Sequence, residues 1–339
     1  MSEAEIRSLQ KIKGGSYVIT LPRWWVERTG VKKGQKIVVV SDPIGLRLIP
    51  QSLRKLPEVE LIREDFTHIR HIRYVVFSYY MQGVNKITIL SKDGFSPDER
   101  RELRRLRGEL LGADIVEDTN NRISLKFITS VSEEAIHDRI ARMAKFAYEV
   151  HEDTLQSMRE RNLILAGEIV ERIEEIMRQY RATYRYLTLS ILNPYQPQAI
   201  KDVRELAVYS VVIRDLYMAV YYATQISKTL LELGNTQINK DIWGMLTEMY
   251  GVVVKMYENA VDAFKSEDVQ FGDLFENAEL FQAVKRIDAE VSSLLLGETN
   301  RINTQLLLIS RNVRRSAGYA IALTDDIVNR QVIKKTGVA

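Results

Sequence analysis

The 339-residue sequence contains no cysteine, four histidines, and few prolines or glycines. The absence of cysteine excludes disulfides, thiolate zinc sites, iron–sulfur clusters and thiol nucleophiles. Four histidines provide little material for a histidine-based metal site. Seven prolines and seventeen glycines interrupt the chain rarely, which favours long helices.

Long apolar runs and enzyme motifs are also missing. No apolar run reaches about 18 residues, so we expect no membrane span. The start, MSEAEIRSLQ, has no apolar core of a signal peptide. The sequence has no phosphate-binding loop, no dinucleotide fingerprint, no nucleophile elbow and no HExxH motif. We therefore expect a cytoplasmic, globular protein that is not an enzyme, with no catalytic residues and no cofactor.

Charge is distributed unevenly along the chain. Residues 1–52 carry nine Lys or Arg against four Asp or Glu, and residues 53–130 carry fourteen against twelve. Residues 131–339 carry 25 against 29, so the net charge of +3 hides a basic head and an acidic tail. Such asymmetry is a hint of a nucleic-acid-binding end.

The basic head predicts short strands around one helix. Strands are expected over 7–13, 16–21, 37–41 and 46–50, with a helix that begins after Pro22. Gly30 fits the C-terminal cap of that helix. About 45 residues of this kind cannot bury enough apolar surface alone. The strands therefore need a partner, and a second copy of the chain is the economical one.

Four motifs in this head carry a family resemblance. KGGS (13–16), ITLP (19–22), RTGVKKG (28–34) and LRLIP (46–50) together resemble the AbrB/SpoVT swapped-hairpin DNA-binding domain. The resemblance implies that two chains interleave β-hairpins into one barrel with a basic face on double-stranded DNA. The positions that match the family's DNA contacts, with their basic neighbours, are Arg7, Lys11, Lys13, Arg23, Arg28, Lys32 and Lys33. The alternative is that the barrel only dimerises the protein.

Residues 53–130 predict a small α/β connector. Apolar spacing indicates a helix over 65–83, followed by a strand over 86–90. A second helix is expected from Ser96 to Gly112, and two further strands join at Asn120 and Asn121. The Arg-rich stretch 100–107 suits phosphate, but glutamates at helical spacing favour an ion-paired, solvated face. His68 and His71 have ligand-capable spacing without a supporting third group, which favours a structural reading.

Residues 131–335 predict an all-helical domain. Six helices are expected over 132–161, 163–192, 199–233, 237–265, 271–296 and 300–331. Weak internal repeats pair His151 with Tyr257 at an offset of 106, and Tyr222 with Tyr319 at an offset of 97. The nine-residue segment 193–201, present in the first copy, accounts for the difference. The region therefore predicts two three-helix bundles, about 131–234 and 235–332.

This tandem arrangement resembles the phosphate-uptake regulator PhoU. The stretches that carry the resemblance are 142–150, 286–288, and the third helices around 210–226 and 309–325. Head, connector and tail together resemble an archaeal-type PhoU-family transcriptional regulator. The resemblance implies a homodimer, or a higher oligomer, that binds DNA and controls phosphate-related genes, with the tail receiving a signal or partner. One alternative is an adaptor that contacts a phosphate transporter or signalling protein, and another is a tail that serves only as an oligomerisation scaffold.

The resemblance also implies metal-binding Glu-x-x-x-Asp motifs on both third helices, and this sequence departs from them. The corresponding residues are Tyr217 and Tyr221 in the first bundle, and Arg314 and Gly318 in the second. We therefore expect no metal at these positions, although acids at 215, 325 and 326 lie nearby. A basic cluster on the last helix suits an anion, or a partner-facing or solvated surface; its members are Arg311, Arg314 and Arg315.

Overall fold

A computed structural model describes residues 5–42, 45–50, 56–128, 136–193, 200, 202–266, 271–297 and 300–336. The chain forms two compact units, Met1–Leu56 and Pro57–Ala339. The first corresponds to the predicted head. The second contains both the predicted connector and the predicted helical domain.

The first unit contains two separate β-hairpins and one helix. Its elements are β1 (Gln10–Lys11), β2 (Tyr17–Val18), α1 (Arg23–Thr29), β3 (Ile37–Asp42) and β4 (Gly45–Pro50). β1 pairs antiparallel with β2, and β3 pairs antiparallel with β4. Gly30 ends α1 with a left-handed φ of 66°, as predicted, and its N–H donates to the Glu27 carbonyl. The turn predicted at 42–45 lies partly outside the described residues.

The first unit has little core of its own. Among its described residues, Val40 and Pro50 alone are buried, and residues 5–20 are all exposed. The first two strands contain two residues each, where the sequence predicts seven and six. The described strands do not close into a barrel within one chain.

The second unit begins with a four-stranded sheet and two helices. These elements are β5 (Glu58–Ile62), α2 (Ile69–Met81), β6 (Lys86–Leu90), α3 (Pro97–Glu109), β7 (Ala113–Asp118) and β8 (Arg122–Phe127). The strand order is β5-β6-β8-β7, with β5 and β6 parallel and the other pairs antiparallel. The sequence prediction missed β5. The helix predicted from 65 begins at Ile69 because a 3₁₀ turn occupies Arg63–Asp65.

Local signals place α3 where the sequence predicts it. The Ser96 hydroxyl accepts from the Glu99 N–H, and the Glu99 carboxylate accepts from the Ser96 N–H, which completes a capping box. The arginines of α3 lie on an ion-paired face, as predicted. Asp118 on β7 accepts from Arg100 and Arg104, both at 2.7 Å.

Six helices complete the second unit. They are α4 (Ile136–Glu160), α5 (Leu163–Leu192), α6 (Val203–Leu233), α7 (Lys240–Lys265), α8 (Phe271–Leu295) and α9 (Arg301–Thr336). Each agrees with a predicted helix to within a few residues at either end. Most of the longer loop predicted in the first copy, over 193–201, lies outside the described residues.

The helices pack as two three-helix bundles, which confirms the predicted arrangement. Within the bundles, α5 contacts α4 and α6, and α8 contacts α7 and α9. The bundles meet through α6 against α9 and α4 against α7. Val203–Leu233 is long and apolar enough to cross a membrane by length and composition. Half of its most apolar window is buried, as is common for a core helix.

Candidate functional site

The seven predicted DNA-binding residues all lie in the first unit and are exposed. Arg7 pairs with Glu5, and the Arg23 Nε donates to Glu27 at 2.7 Å. Lys11 lies over the Tyr17 ring at 5.9 Å. These contacts are local and leave the charges open to solvent, so the surface is basic and available.

The two neighbouring tryptophans of α1 are partly buried. The Arg28 guanidinium lies 4.9 Å from the centre of the Trp24 ring, and the Trp24 Nε1 is buried without a hydrogen-bond partner. The Trp25 carbonyl accepts a hydrogen bond from the Thr29 hydroxyl at 2.7 Å. A partly buried ring with an unsatisfied N–H suits an interface better than an exposed stacking platform.

On α6, the third helix of the first bundle, tyrosines occupy the positions where the resemblance implies acids. Tyr217 stacks on Tyr180 of α5 with ring centroids 5.6 Å apart, and Tyr180 contacts Tyr184 at 6.2 Å. Burial raises the pKa of Tyr217, so its hydroxyl stays neutral. Tyr221 contacts Tyr222 edge-on at 5.3 Å. Neutral tyrosine hydroxyls do not supply the anionic oxygens that hard cations require.

In the second bundle, Asp288 of α8 organises the basic cluster on α9. Its carboxylate is fully buried and accepts from the Ser310 hydroxyl at 2.8 Å. Its Oδ2 also accepts from Arg311 at 2.7 Å and Arg314 at 2.8 Å. Two of the three predicted surface arginines are therefore ion-paired within the bundle, and all three are exposed.

Two further acids are buried near the contact of α6 with α9. Asp215 is 6% exposed and Asp326 is 8% exposed, and the Asp326 Oδ2 has no hydrogen-bond partner. Burial, with the charges of Asp215 and Asp325, raises the pKa of Asp326 to about 7. In the described part of the chain, no three His, Cys, Asp or Glu side chains form a group that could hold a metal ion.

The histidines with ligand-capable spacing lie on α2 and at its start. His68 and His71 contact each other edge-on, with ring centroids 5.6 Å apart. Within the described ranges no third ligand group joins them. The buried histidine is His151, which stacks on Tyr257 at 4.0 Å and shares a 2.6 Å hydrogen bond with the Tyr250 hydroxyl.

A cleft between α2, α3 and α5 was not predicted. Its volume is about 1040 Å³, and arginines and glutamates line it. Behind it, the Arg185 guanidinium on α5 donates to the carbonyls of Tyr80 at 2.7 Å, Val84 at 2.9 Å and Ile128 at 3.3 Å. Sequence reasoning missed both features because α2 and α5 are about a hundred residues apart. A run of arginines on α5, at 178, 181 and 185, was the available signal.

Comparisons with known proteins find similarity in the helical region. The PhoU domain matches residues 140–230. The match spans α4 to α6 without the start of α4 and the end of α6, and therefore falls on the first bundle. Among curated proteins, no sequence matches the chain.

Two solved structures share the fold of the bundles. The phosphate transport system regulatory protein PhoU from Streptococcus pneumoniae is 17% identical, with a TM-score of 0.50. The similarity covers 60% of this chain and 94% of that one. PhoU from Pseudomonas aeruginosa is 16% identical, with a TM-score of 0.51, over 59% of this chain and 96% of that one. The helical part therefore has a PhoU-like fold, and the resemblance stated from the sequence is confirmed for this part.

Proposed function

We propose that the protein is a cytoplasmic, non-enzymatic regulator of phosphate transport that acts by contacting a transporter or signalling protein through its helical bundles. The observation that carries this proposal is the tandem bundle fold, which covers nearly the whole length of two PhoU structures. One of these is named as a phosphate transport system regulatory protein.

The side chains on and around α6, the third helix of the first bundle, support contact with a protein. Tyrosine and arginine are enriched in protein interfaces and at their energetic centres. Tyr180, Tyr184 and Tyr217 form a partly exposed group, and Arg214 is exposed one turn before Tyr217 on α6. This group lies where the resemblance implies a metal site, so we place partner contact there instead.

The experiment is capture of the phosphate transporter by the full-length chain, with phosphate uptake measured in cells that lack the gene. Arg214→Glu reverses one exposed charge beside the tyrosine group. Lys228→Glu is the control, because it makes the same reversal at an exposed position about three turns past Tyr217 on the same helix. We expect R214E to lose at least tenfold in transporter capture and K228E to stay within twofold. Equal capture by both variants, or no capture by wild type, would contradict the proposal.

A second candidate function is DNA binding by a homodimer of the first unit. Its support is the basic surface together with exposed apolar side chains that a single chain leaves uncovered. Ile6 is fully exposed, and Leu9, Tyr17 and Leu46 are each more than 60% exposed. A unit of this size needs a further core, which a second copy would provide.

Gel shifts and sedimentation test this second candidate on the full-length protein. We expect a dimer. The logarithm of its DNA-binding constant should fall linearly with the logarithm of salt concentration, with a slope of about −0.9 for each phosphate contacted. Removing charge at Lys11, Lys13 and Arg23 should weaken binding at least tenfold and flatten the salt slope. Lys240→Gln, outside the first unit, is the control. Wild-type binding by the triple variant would contradict this site, and a dimer without DNA binding would leave dimerisation as the unit's role.

A further inference from the structure

The cleft between α2, α3 and α5 has a charged lining with a small basic excess. Five arginines line it, namely Arg70, Arg73, Arg105, Arg178 and Arg181. Four glutamates face them, namely Glu109, Glu171, Glu174 and Glu175. The volume of about 1040 Å³ is at the upper end of the range of small-molecule sites.

Three of the five arginines already have carboxylate partners. Arg73 pairs with Glu102 at 2.5 Å and also with Glu109. Arg105 donates to Glu102 at 2.6 Å, and Arg178 pairs with Glu175. Within the described ranges, Arg70 and Arg181 make no ion pair or hydrogen bond. The positive charge left for a ligand is therefore at these two residues, and the lining carboxylates of Glu171 and Glu174 also have no cation partner among the described residues.

Arg181 is an unusual cation because it is buried without a counter-ion. It is 9% exposed, and its guanidinium carbon lies 3.8 Å from the centre of the Phe77 ring. The acid with the largest attraction to it, Glu109, is already bound to Arg73. Burial removes water from its charge and thereby lowers the pKa of Arg181. An anion in the cleft would restore two hydrogen bonds in the bidentate geometry that guanidinium favours.

The lip of the cleft offers an aromatic face. The Tyr74 side chain lines the cleft and is 73% exposed, and its ring meets Phe77 edge-on at 6.5 Å. A free inorganic anion would fill a small part of the volume and leave this ring uncovered. Stacking of a planar base on an aromatic side chain stabilises single-stranded nucleic-acid complexes.

We infer that this cleft binds a mononucleotide-sized phosphorylated molecule, with the phosphate on Arg181, the planar ring against Tyr74 and Arg70 as a second cation in the lining. This ligand matches the chemistry of the two unpaired arginines and the exposed ring, and it fits within the cleft. Arg181 lies beside the tyrosine group around Tyr217, but the contacts assigned to the ligand use neither that group nor the basic surface of the first unit. The inference therefore does not depend on the proposed function.

Isothermal titration of the full-length protein tests the inference with AMP, adenosine, inorganic phosphate and citrate as probes. We expect saturable AMP binding that is at least tenfold tighter than that of phosphate, adenosine or citrate. Arg181→Lys keeps the charge but loses the two parallel N–H donors of the guanidinium, and should weaken AMP binding at least tenfold. Tyr74→Ala changes an exposed residue, and should weaken AMP several-fold while leaving phosphate unchanged. Arg101→Gln, which removes an exposed arginine of α3 outside the cleft, should bind AMP as wild type does.

The outcomes separate the possible sources of binding. No heat from AMP at millimolar concentration would overturn the inference. Equal affinity for phosphate and AMP would overturn it too, because the ring would then contribute nothing. Wild-type AMP binding by both R181K and Y74A would place the nucleotide elsewhere. Circular dichroism of R181K would show whether the fold is kept, and Y74A tests the same cleft if it is not.

Discussion

The rings of Tyr222 and Tyr319 stack with centroids 5.6 Å apart, across the contact between α6 and α9. These two residues are equivalent in the internal repeat. The other equivalent pair, His151 and Tyr257, stacks at 4.0 Å across the contact between α4 and α7. Equivalent residues meet when two copies of a motif are related by an approximate two-fold axis. The repeat in the sequence therefore corresponds to a two-fold relationship between the bundles, with aromatic pairs along it.

Asp288 should be the residue on which the α8–α9 contact depends. We expect Asp288→Asn to lower the free energy of unfolding by about 2 kcal/mol, because Arg311 and Arg314 lose a buried charged acceptor. The effect is below the 3–5 kcal/mol typical of buried pairs because both arginines are about half-exposed and regain water. Urea unfolding measures it, and Glu290→Gln, exposed on the same helix, should change it by less than 0.5 kcal/mol. A D288N variant as stable as E290Q would show that the network is not stabilising.

Arg185 should link the bundles to the four-stranded sheet and its helix α2 within the second unit. It is 4% exposed, and burial lowers its pKa to about 10. We expect Arg185→Gln to cost about 3 kcal/mol, since charged hydrogen bonds to buried carbonyls contribute about 1.5–3 kcal/mol each and glutamine replaces part of this. Hydrogen exchange should quicken at the C-terminal end of α2, near Tyr80. The control is Glu168→Gln, exposed on the same helix. Uniform loss of protection without a local effect would argue against a joining role.

Asp326 should make the protein less stable as pH rises. Its pKa is raised from an ordinary 3.8 to about 7, so the folded state holds a proton that the unfolded chain has released. The resulting stability is present below pH 4 and is lost between pH 4 and 7. We expect Asp326→Asn to match wild type near pH 3.5 and to exceed it by about 1–2 kcal/mol at pH 8, after discounting for partial exposure. Asp325→Asn, exposed beside it, should show a much smaller change. A stability difference independent of pH would refute the assignment.

The helices were predictable because their signals are local. Apolar periodicity gave all six long helices, and the capping residue Ser96 and the terminal Gly30 fixed two helix ends that the structure confirms. The positions of the missing acids, such as Tyr217, followed from the family resemblance. None of these predictions needed a contact between distant parts of the chain.

The site chemistry was less predictable because it depends on long-range contacts. Arg181 and Phe77 are 104 positions apart, and Asp288 meets Arg314 across two helices. Each sequence pattern alone suits a solvated basic face, and only folding shows which arginines are paired. The short strands of the first unit have a related cause. A strand such as Tyr17–Val18 extends only as far as a neighbouring strand pairs with it.

His151 should have the opposite pH dependence to Asp326. It is fully buried, and burial lowers its pKa from an ordinary 6.5 to about 3. Between pH 6.5 and 3 the unfolded chain binds a proton that the folded state excludes, so wild-type stability falls as pH falls. Phenylalanine keeps the ring stacked on Tyr257 but loses the hydrogen bond to Tyr250.

We therefore expect His151→Phe to be about 1–2 kcal/mol less stable than wild type at pH 7.5, because a buried hydroxyl loses its partner. The gap should narrow steadily as pH falls to 4, since the variant has no proton to exclude. Chemical denaturation across this pH range measures the gap. His68→Phe, at an exposed histidine, is the matched control. A constant gap for H151F would mean that His151 titrates normally in the folded protein.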